Sequence, residues 1–273
     1  MTNSEEVEVL AQMLECVGIG EEYLGTVKVF PPQPYFTAAI AADLTASTNF
    51  VRLFLGQELP ATVSKVIWLD SDIIVQKDIT ELWEMLSVSG DTWTVAAVEL
   101  QATWKDLEFT LGGRTYNNSL RFQSAFHLRY PSRKISEIEL SRRAFNAGVL
   151  LLNLDHLRAK ESYLMEEMLW WSKRNSEQEV LWGGGSQPLA NLLALISPAG
   201  DYQHLPTTWN VLRGDTLNDT QEWNSERGIL HWTILGDRSK PWRHDLRQQS
   251  IGLWLPYGLP VMECYRLLKL PEK

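Results

Sequence analysis

The sequence predicts an α/β protein, a mostly parallel sheet with helices on both faces, in a single domain over residues 1–273. Three observations predict it. Apolar runs of strand length alternate with segments of helical period along the chain. The run Val66-Ile67-Trp68-Leu69 is continuous rather than alternating, as in a strand covered on both faces. No linker, repeat or low-complexity tract interrupts the 273 residues, a length that at roughly 150 residues per domain allows one large domain or two small ones.

Taken in order, the first element is a helix with Val7, Leu10, Leu14 and Val17 on one face, ended by Gly18 and Gly20. Thr26–Phe30 alternates in period two and stops at Pro31-Pro32, which makes it a strand. A second helix runs approximately from Ser47 to Gln57, carries Phe50, Leu53 and Phe54, and ends before Pro60. The buried strand Val66–Leu69 leads straight into Asp70-Ser71-Asp72. Ile79–Leu86 is expected to be helical and Thr92–Val98 a strand; the polar residues 101–141, with Gly112-Gly113, form a long excursion over one face. Phe145–Leu154 is an apolar strand, Tyr163–Lys173 a helix, and a shorter helix follows Gln187-Pro188. The strand Ile229-Leu230-His231 then precedes a loop rich in Gly, Asp and Lys.

Composition narrows the function. With 25 basic and 34 acidic residues the net charge is −9, and such a chain offers no counterion release to nucleic acid or to an anionic membrane surface. Apolar residues at 44% and charged residues at 22% exclude disorder. Cys16 and Cys264 are too few for a disulfide framework and lack the neighbours of a zinc or redox motif. No window reaches 18 consecutive apolar residues, so no membrane span is expected, and the first six residues do not open a signal peptide. Two glycosylation sequons, Asn117-Asn118-Ser119 and Asn218-Asp219-Thr220, are compatible with a secretory compartment. Twelve tryptophans serve first as core filler; Trp209 and Trp242 are candidate walls of a substrate groove.

Three constellations carry chemistry. Asp70 and Asp72 are two apart on an extended chain, so their side chains point the same way at the carboxyl end of a buried strand, where open α/β sheets place ligands. Paired oxygen ligands suit Mg²⁺ or Mn²⁺ bridged to phosphate; the alternative is a strand end with two solvated aspartates. His231 closes a short strand ahead of Gly236, Asp237, Arg238, Lys240 and Pro241-Trp242, and is either a third metal ligand or a structural histidine. Asn146 and Gly148 open the apolar run from Phe145 and either admit a small ligand close to the backbone or simply start a strand.

Together these blocks resemble glycosyltransferase family 8. Val66 to Val75 is similar to its D-x-D segment, and Phe145-Asn146-Ala147-Gly148-Val149 to its F-N-A-G-V block. Leu205-Pro206-Thr207-Thr208-Trp209-Asn210 resembles a later substrate-side segment, and His231 through Trp242 its H…G…K-P-W end. The resemblance covers about residues 45–255 and looks closest to glycosyltransferase-8-domain proteins and galacturonosyltransferase-like enzymes. It implies a GT-A fold and a retaining, metal-dependent hexosyltransferase. Such an enzyme moves galactose, glucose or galacturonate from a UDP-sugar to a glycan, protein or lipid acceptor, in the Golgi lumen. Carried over, Asp70, Asp72 and His231 would ligate Mn²⁺ (or Mg²⁺), and Lys240 with the loop at Gly236 would hold the diphosphate. Arg52, Asn146 and Gly148 would contact the donor sugar, and Gln187 would sit beside the reacting carbon.

The sequence departs from the family pattern in three places. Ser186-Gln187-Pro188 stands where many members read D-Q-D, and nine steps separate His231 from Lys240 where six are common. Thr26–Phe30 matches the members' third strand, so an amino-terminally shortened domain, lacking the first nucleotide-binding strand–helix–strand unit, is expected. Two other readings remain open. One is an inactive homologue or fragment that binds a glycan or a protein. The other is a haloacid-dehalogenase-type phosphatase, although that class needs a late acidic pair near a strand end.

Overall fold

The computed structural model describes residues 47–88, 93–103, 108–111, 114–136, 140–177, 181, 186–197, 201–212 and 227–232, with isolated positions 12, 15–18, 263 and 267. The expected strand at Thr26–Phe30 lies outside them, as does most of the first expected helix. A 3-10 helix, Ser47–Leu53, runs into the single turn α1, Leu55–Glu58. Then come β1 (Lys65–Leu69), β2 (Ile73–Val75), α2 (Ile79–Val88) and β3 (Val95–Thr103). A hairpin, β4 (Glu108–Leu111) with β5 (Arg114–Asn117), leads into α3 (Asn118–Arg129) and the long strand β6 (Arg143–Asn153). The helices α4 (Leu154–Ala159), α5 (Glu161–Glu177) and α6 (Gln187–Ile196) follow. The short strands β7 (Tyr202–His204), β8 (Val211–Leu212) and β9 (Ile229–His231) complete the described elements, with a 3-10 turn at Thr207–Trp209.

The α/β class is observed, but the described strands do not form a mostly parallel sheet. The large sheet has order β1-β6-β3-β7, with β6 antiparallel to both β1 and β3, and β3 parallel to β7. A smaller sheet, β2-β9-β8, has β2 antiparallel and β8 parallel to β9. Nor is β1 covered on both faces as its continuous apolar run predicts: Val66, Ile67 and Trp68 are half-buried and Leu69 is exposed, with β1 at the edge of the large sheet among the described strands. β6 is central and buried along its length after Arg143, which explains its composition without parallel neighbours. Residues 101–141, expected as a long polar excursion, contain two elements that were not anticipated, the β4–β5 hairpin and the helix α3. Phe122 and Phe126, one turn apart on α3, bury against Trp171 of α5; the Phe122 and Trp171 rings stack at 5.5 Å. Cys16 is disulfide-bonded, a pairing that two cysteines alone did not indicate.

Alternate residues of β6 face opposite layers. Val149 and Leu151 pack with Leu82, Trp93, Ala96 and Trp209, whereas Leu150 and Leu152 pack with Val51, Leu55, Ala97 and Ala190. The alternation breaks where β6 meets β3: the step from Ala97 to Glu99 on β3 matches the step from Leu150 to Phe145 on β6. β6 therefore carries surplus residues around Asn146–Gly148, a bulge whose backbone groups need other partners. Helix α6 supplies them. Phe145 N–H donates to Asn191 Oδ1 at 2.7 Å, Asn191 Nδ2 donates to Phe145 C=O at 2.9 Å, and Ala147 N–H donates to Gln187 Oε1 at 2.9 Å. Arg52 Nη1 donates to the Ala147 carbonyl.

Asn191 thus stands in for a strand edge inside the core. Asn191→Leu keeps the branched shape but leaves both Phe145 backbone groups without their partner, and is expected to cost roughly 2 kcal/mol or more. The shift of the urea midpoint of the full chain measures it; an unchanged midpoint would show that Asn191 is dispensable for closing the bulge.

Candidate active site

The acid pair is pinned at both ends. Asp70 N–H donates to the Gly148 carbonyl at 2.8 Å, which ties its first residue to β6 in the large sheet. The Asp72 carbonyl accepts from Trp232 N–H at 3.0 Å, and β2 pairs Ile73 with His231, which ties its second residue to the small sheet. Asp70, Asp72 and His231 consequently each present one ligand atom within 4.8 Å of the others. His231 Nε2 lies 3.2 Å from Asp72 Oδ1 and 4.0 Å from Asp70 Oδ2. The imidazole is 1% exposed, while the Asp70 carboxylate is 26% exposed and open to a ligand.

Asp70 divides its two oxygens. Oδ1 accepts Trp68 Nε1–H at 2.8 Å and lies 3.2 Å from Arg52 Nη2, whose guanidinium rests 4.9 Å over the Trp68 ring. Trp68 is two residues before Asp70 on an extended chain, so both side chains emerge on the same side. Oδ2 is left facing His231. Burial lowers the pKa of Arg52 from its ordinary value, and the carboxylates of Asp70 and then Asp72 push it back up, so the guanidinium stays charged between them.

His231 is held against bare backbone. A Cβ added to Gly148 would lie 2.0 Å from His231 Cε1, so the ring occupies the space that the missing side chain leaves. The close approach expected at Gly148 is therefore made by the imidazole. The other ring nitrogen, Nδ1, is 2.9 Å from Asn210 Oδ1. Nε2 is thus the ring atom turned to the two carboxylates, and a donor set of two carboxylate oxygens and one imidazole nitrogen fits Mg²⁺ or Mn²⁺.

Of the residues singled out from sequence, Arg52, Asp70, Asp72, Asn146, Gly148, Gln187 and His231 all gather around the β6 bulge. Asn146 is 4% exposed, and its Oδ1 accepts from Gly148 N–H at 2.8 Å and from Asn210 Nδ2 at 2.9 Å. Gly236, Lys240 and Trp242 lie outside the described residues. Trp209 is corrected from a groove wall to a core residue, 2% exposed and packed on Gly228, where a Cβ would come within 2.5 Å of its ring. Sequence reasoning missed Trp68, though its two-residue offset from Asp70 was a usable signal. It also gave Asn210 no role.

A mixed α/β domain with an acid pair at a strand end and a histidine brought beside it is the layout of a GT-A glycosyltransferase. The chain belongs to glycosyl transferase family 8, whose description matches residues 37–245. It is 28% identical over 235 residues to probable galacturonosyltransferase-like 10 of Arabidopsis thaliana, covering 82% of this chain and 56% of that protein. It is 26% identical over 225 residues to human glycosyltransferase 8 domain-containing protein 2, covering 80% of this chain and 60% of the relative. The chain thus spans little more than half the length of these curated relatives. The structure of an active-site mutant of LgtC shares the fold, with a TM-score of 0.50 and 18% identity over 82% of this chain and 71% of that one.

The Gly148 contact makes a direct prediction. Gly148→Ala forces its methyl into the His231 ring and is expected to destabilise the chain by about 1–3 kcal/mol through overpacking. Denaturant unfolding reads the loss; a stability equal to wild type would mean that His231 moves away freely.

Proposed function

We propose that this chain is a divalent-metal-dependent, retaining hexosyltransferase that uses a UDP-sugar, with galactose, glucose or galacturonate as the moiety transferred. The observation that carries this reading is the convergence of Asp70, Asp72 and His231 within 4.8 Å just after β1. Those three residues would hold a Mn²⁺ or Mg²⁺ ion, whose charge would stabilise the departing diphosphate. The acceptor is a carbohydrate-bearing glycan, protein or lipid. The name of the Arabidopsis relative supports galacturonate as one candidate sugar.

In this reading Lys240 and the loop at Gly236 hold the diphosphate. Arg52, Asn146 and Gly148 border the donor sugar, and Gln187, fixed through its Oε1 to Ala147 N–H, sits beside the reacting carbon. The acceptor hydroxyl attacks from the front face without a covalent enzyme intermediate. One catalytic domain over residues 1–273 is the matching organisation. A Golgi-lumen location agrees with the disulfide at Cys16, since such bonds persist in oxidising compartments. Among the described residues no helix is long and apolar enough to cross a membrane. Ser186, buried at the start of α6 where many members carry a carboxylate, favours a second reading, a homologue that binds a glycan or protein without turnover.

Calorimetric titration of UDP into the full chain with and without Mn²⁺ tests the proposal: binding that requires Mn²⁺ is expected, and turnover of a UDP-sugar separates the two readings. Asp72→Asn should abolish the Mn²⁺-dependent binding in a folded chain and slow transfer on the order of a hundredfold or more. Binding equal to wild type would remove Asp72 from the metal site. Lys240→Ala should weaken UDP more than uridine, because the ammonium is assigned to the phosphates; equal loss for both contradicts that role.

A further inference from the structure

We propose that Asn210, oriented by Asn146, is a positioning residue that keeps the His231 proton on Nδ1 and so leaves the Nε2 lone pair facing Asp70 and Asp72. Its consequence for metal affinity rests on the metal site proposed above, but the proton assignment does not.

The assignment starts from an atom whose role is certain. The Gly148 backbone N–H only donates, so the Asn146 atom 2.8 Å away must be the oxygen of the side-chain amide. That oxygen carries no proton, so the Asn210 atom 2.9 Å from it must be the amide nitrogen. The Asn210 atom facing His231 is then the oxygen, and an oxygen at 2.9 Å from Nδ1 requires a proton on Nδ1. The orientation of both amides, normally a matter of assignment, is dictated here by one main-chain hydrogen. Asn146, Asn210 and His231 are 4%, 3% and 1% exposed, so water does not compete for these bonds.

The chain of bonds opposes a nearby alternative. Asp72 Oδ1, 3.2 Å from Nε2, is a stronger acceptor than an amide oxygen, and by itself would draw the ring proton to Nε2. A proton there would occupy the lone pair that a cation needs. Asn210 therefore acts against closure of the site by its own histidine and carboxylate. Gly148 serves twice, since its missing Cβ admits the ring and its N–H starts the sequence of bonds that sets the ring's proton.

The test uses the full chain, ¹⁵N-labelled and stripped of metal. Two-bond ¹H–¹⁵N correlation spectra identify the tautomer of neutral His231, assigned by its loss in His231→Gln. Wild type is expected to show the Nδ1–H form. Asn210→Leu, which cannot accept, should convert the ring to the Nε2–H form; Asn210→Asp, which still accepts, should keep Nδ1–H. Titration with Mn²⁺ alone, followed by electron paramagnetic resonance, should show a loss of about 10- to 100-fold for Asn210→Leu and a change within a few-fold for Asn210→Asp. An Nε2–H tautomer in wild type, or an Nδ1–H tautomer retained in Asn210→Leu, overturns the proposal. If Asn210→Leu does not fold, the wild-type spectrum decides. An Nδ1–H wild type that binds no Mn²⁺ upholds the positioning role and overturns the metal site instead.

Discussion

The imidazole of His231 points its Cε1 edge at a stretch of β6 from which the side chain is missing at Gly148, and the layout of the site depends on that contact. The small sheet can approach the large one only as closely as this ring allows. A Cβ at residue 148 would clash with all three ring atoms nearest to it, at 2.0 to 2.9 Å. The same glycine lies in the bulge of β6, and its carbonyl holds Asp70 N–H. One residue thus sets the height of the histidine and anchors the first aspartate, while its neighbours Phe145 and Ala147 are closed off by Asn191, Gln187 and Arg52.

Around that contact the charges are arranged at a cost. Arg52 is buried beside Asp70 and desolvated, and a buried ion pair of this kind adds little net stability over an apolar pair of the same volume. Its value is orientation. With Trp68 and Arg52 both on Oδ1, the Asp70 carboxylate is held in one orientation, and Oδ2 is left toward His231. The overall charge of −9 and the two carboxylates would repel a nucleotide diphosphate, so a reaction on such a substrate needs positive charge at this spot. A cation between Asp70, Asp72 and His231 meets that need, and Arg52 alone does not, because its hydrogen-bonding face is already turned to Asp70 and Ala147.

The parts of this arrangement that were legible in the sequence are those written in local spacing. The spacing of Asp70 and Asp72 after an apolar run was legible, but Ser71 and Asp72 lie in the turn between β1 and β2, and β1 is only partly buried. The glycine at 148 was legible as a point of close approach, but its visitor was not, because His231 arrives from 83 positions further along the chain through the pairing of β2 with β9. Strand direction was illegible for a related reason: an apolar run encodes at most its burial, not the direction of its neighbours. Helix α3 was overlooked because its polar residues dominate the composition, although Phe122 and Phe126 one turn apart carried its buried face. Asn210 could not be assigned at all, since its role follows from three hydrogen bonds among residues on separate elements.

His231 belongs to the slighter of the two sheets that meet at the site, whose strands β2, β8 and β9 have 3, 2 and 3 residues. A ladder that short is marginal by itself and would let a side chain wander by more than metal coordination tolerates. The precision comes from burial on either side of it. Ile229 enters the core beneath the large sheet, Leu230 packs with Ile74 and Trp232, and His231 meets Gly148 on one edge and Asn210 on the other. Trp209, seated on Gly228 just before β9, fixes the point where that strand enters. The residue that completes the site is therefore located by packing against the large sheet rather than by its own hydrogen-bond ladder. For that reason a single added methyl at Gly148, with no change in charge, reaches the Asp70, Asp72 and His231 cluster as directly as a substitution of Asp72.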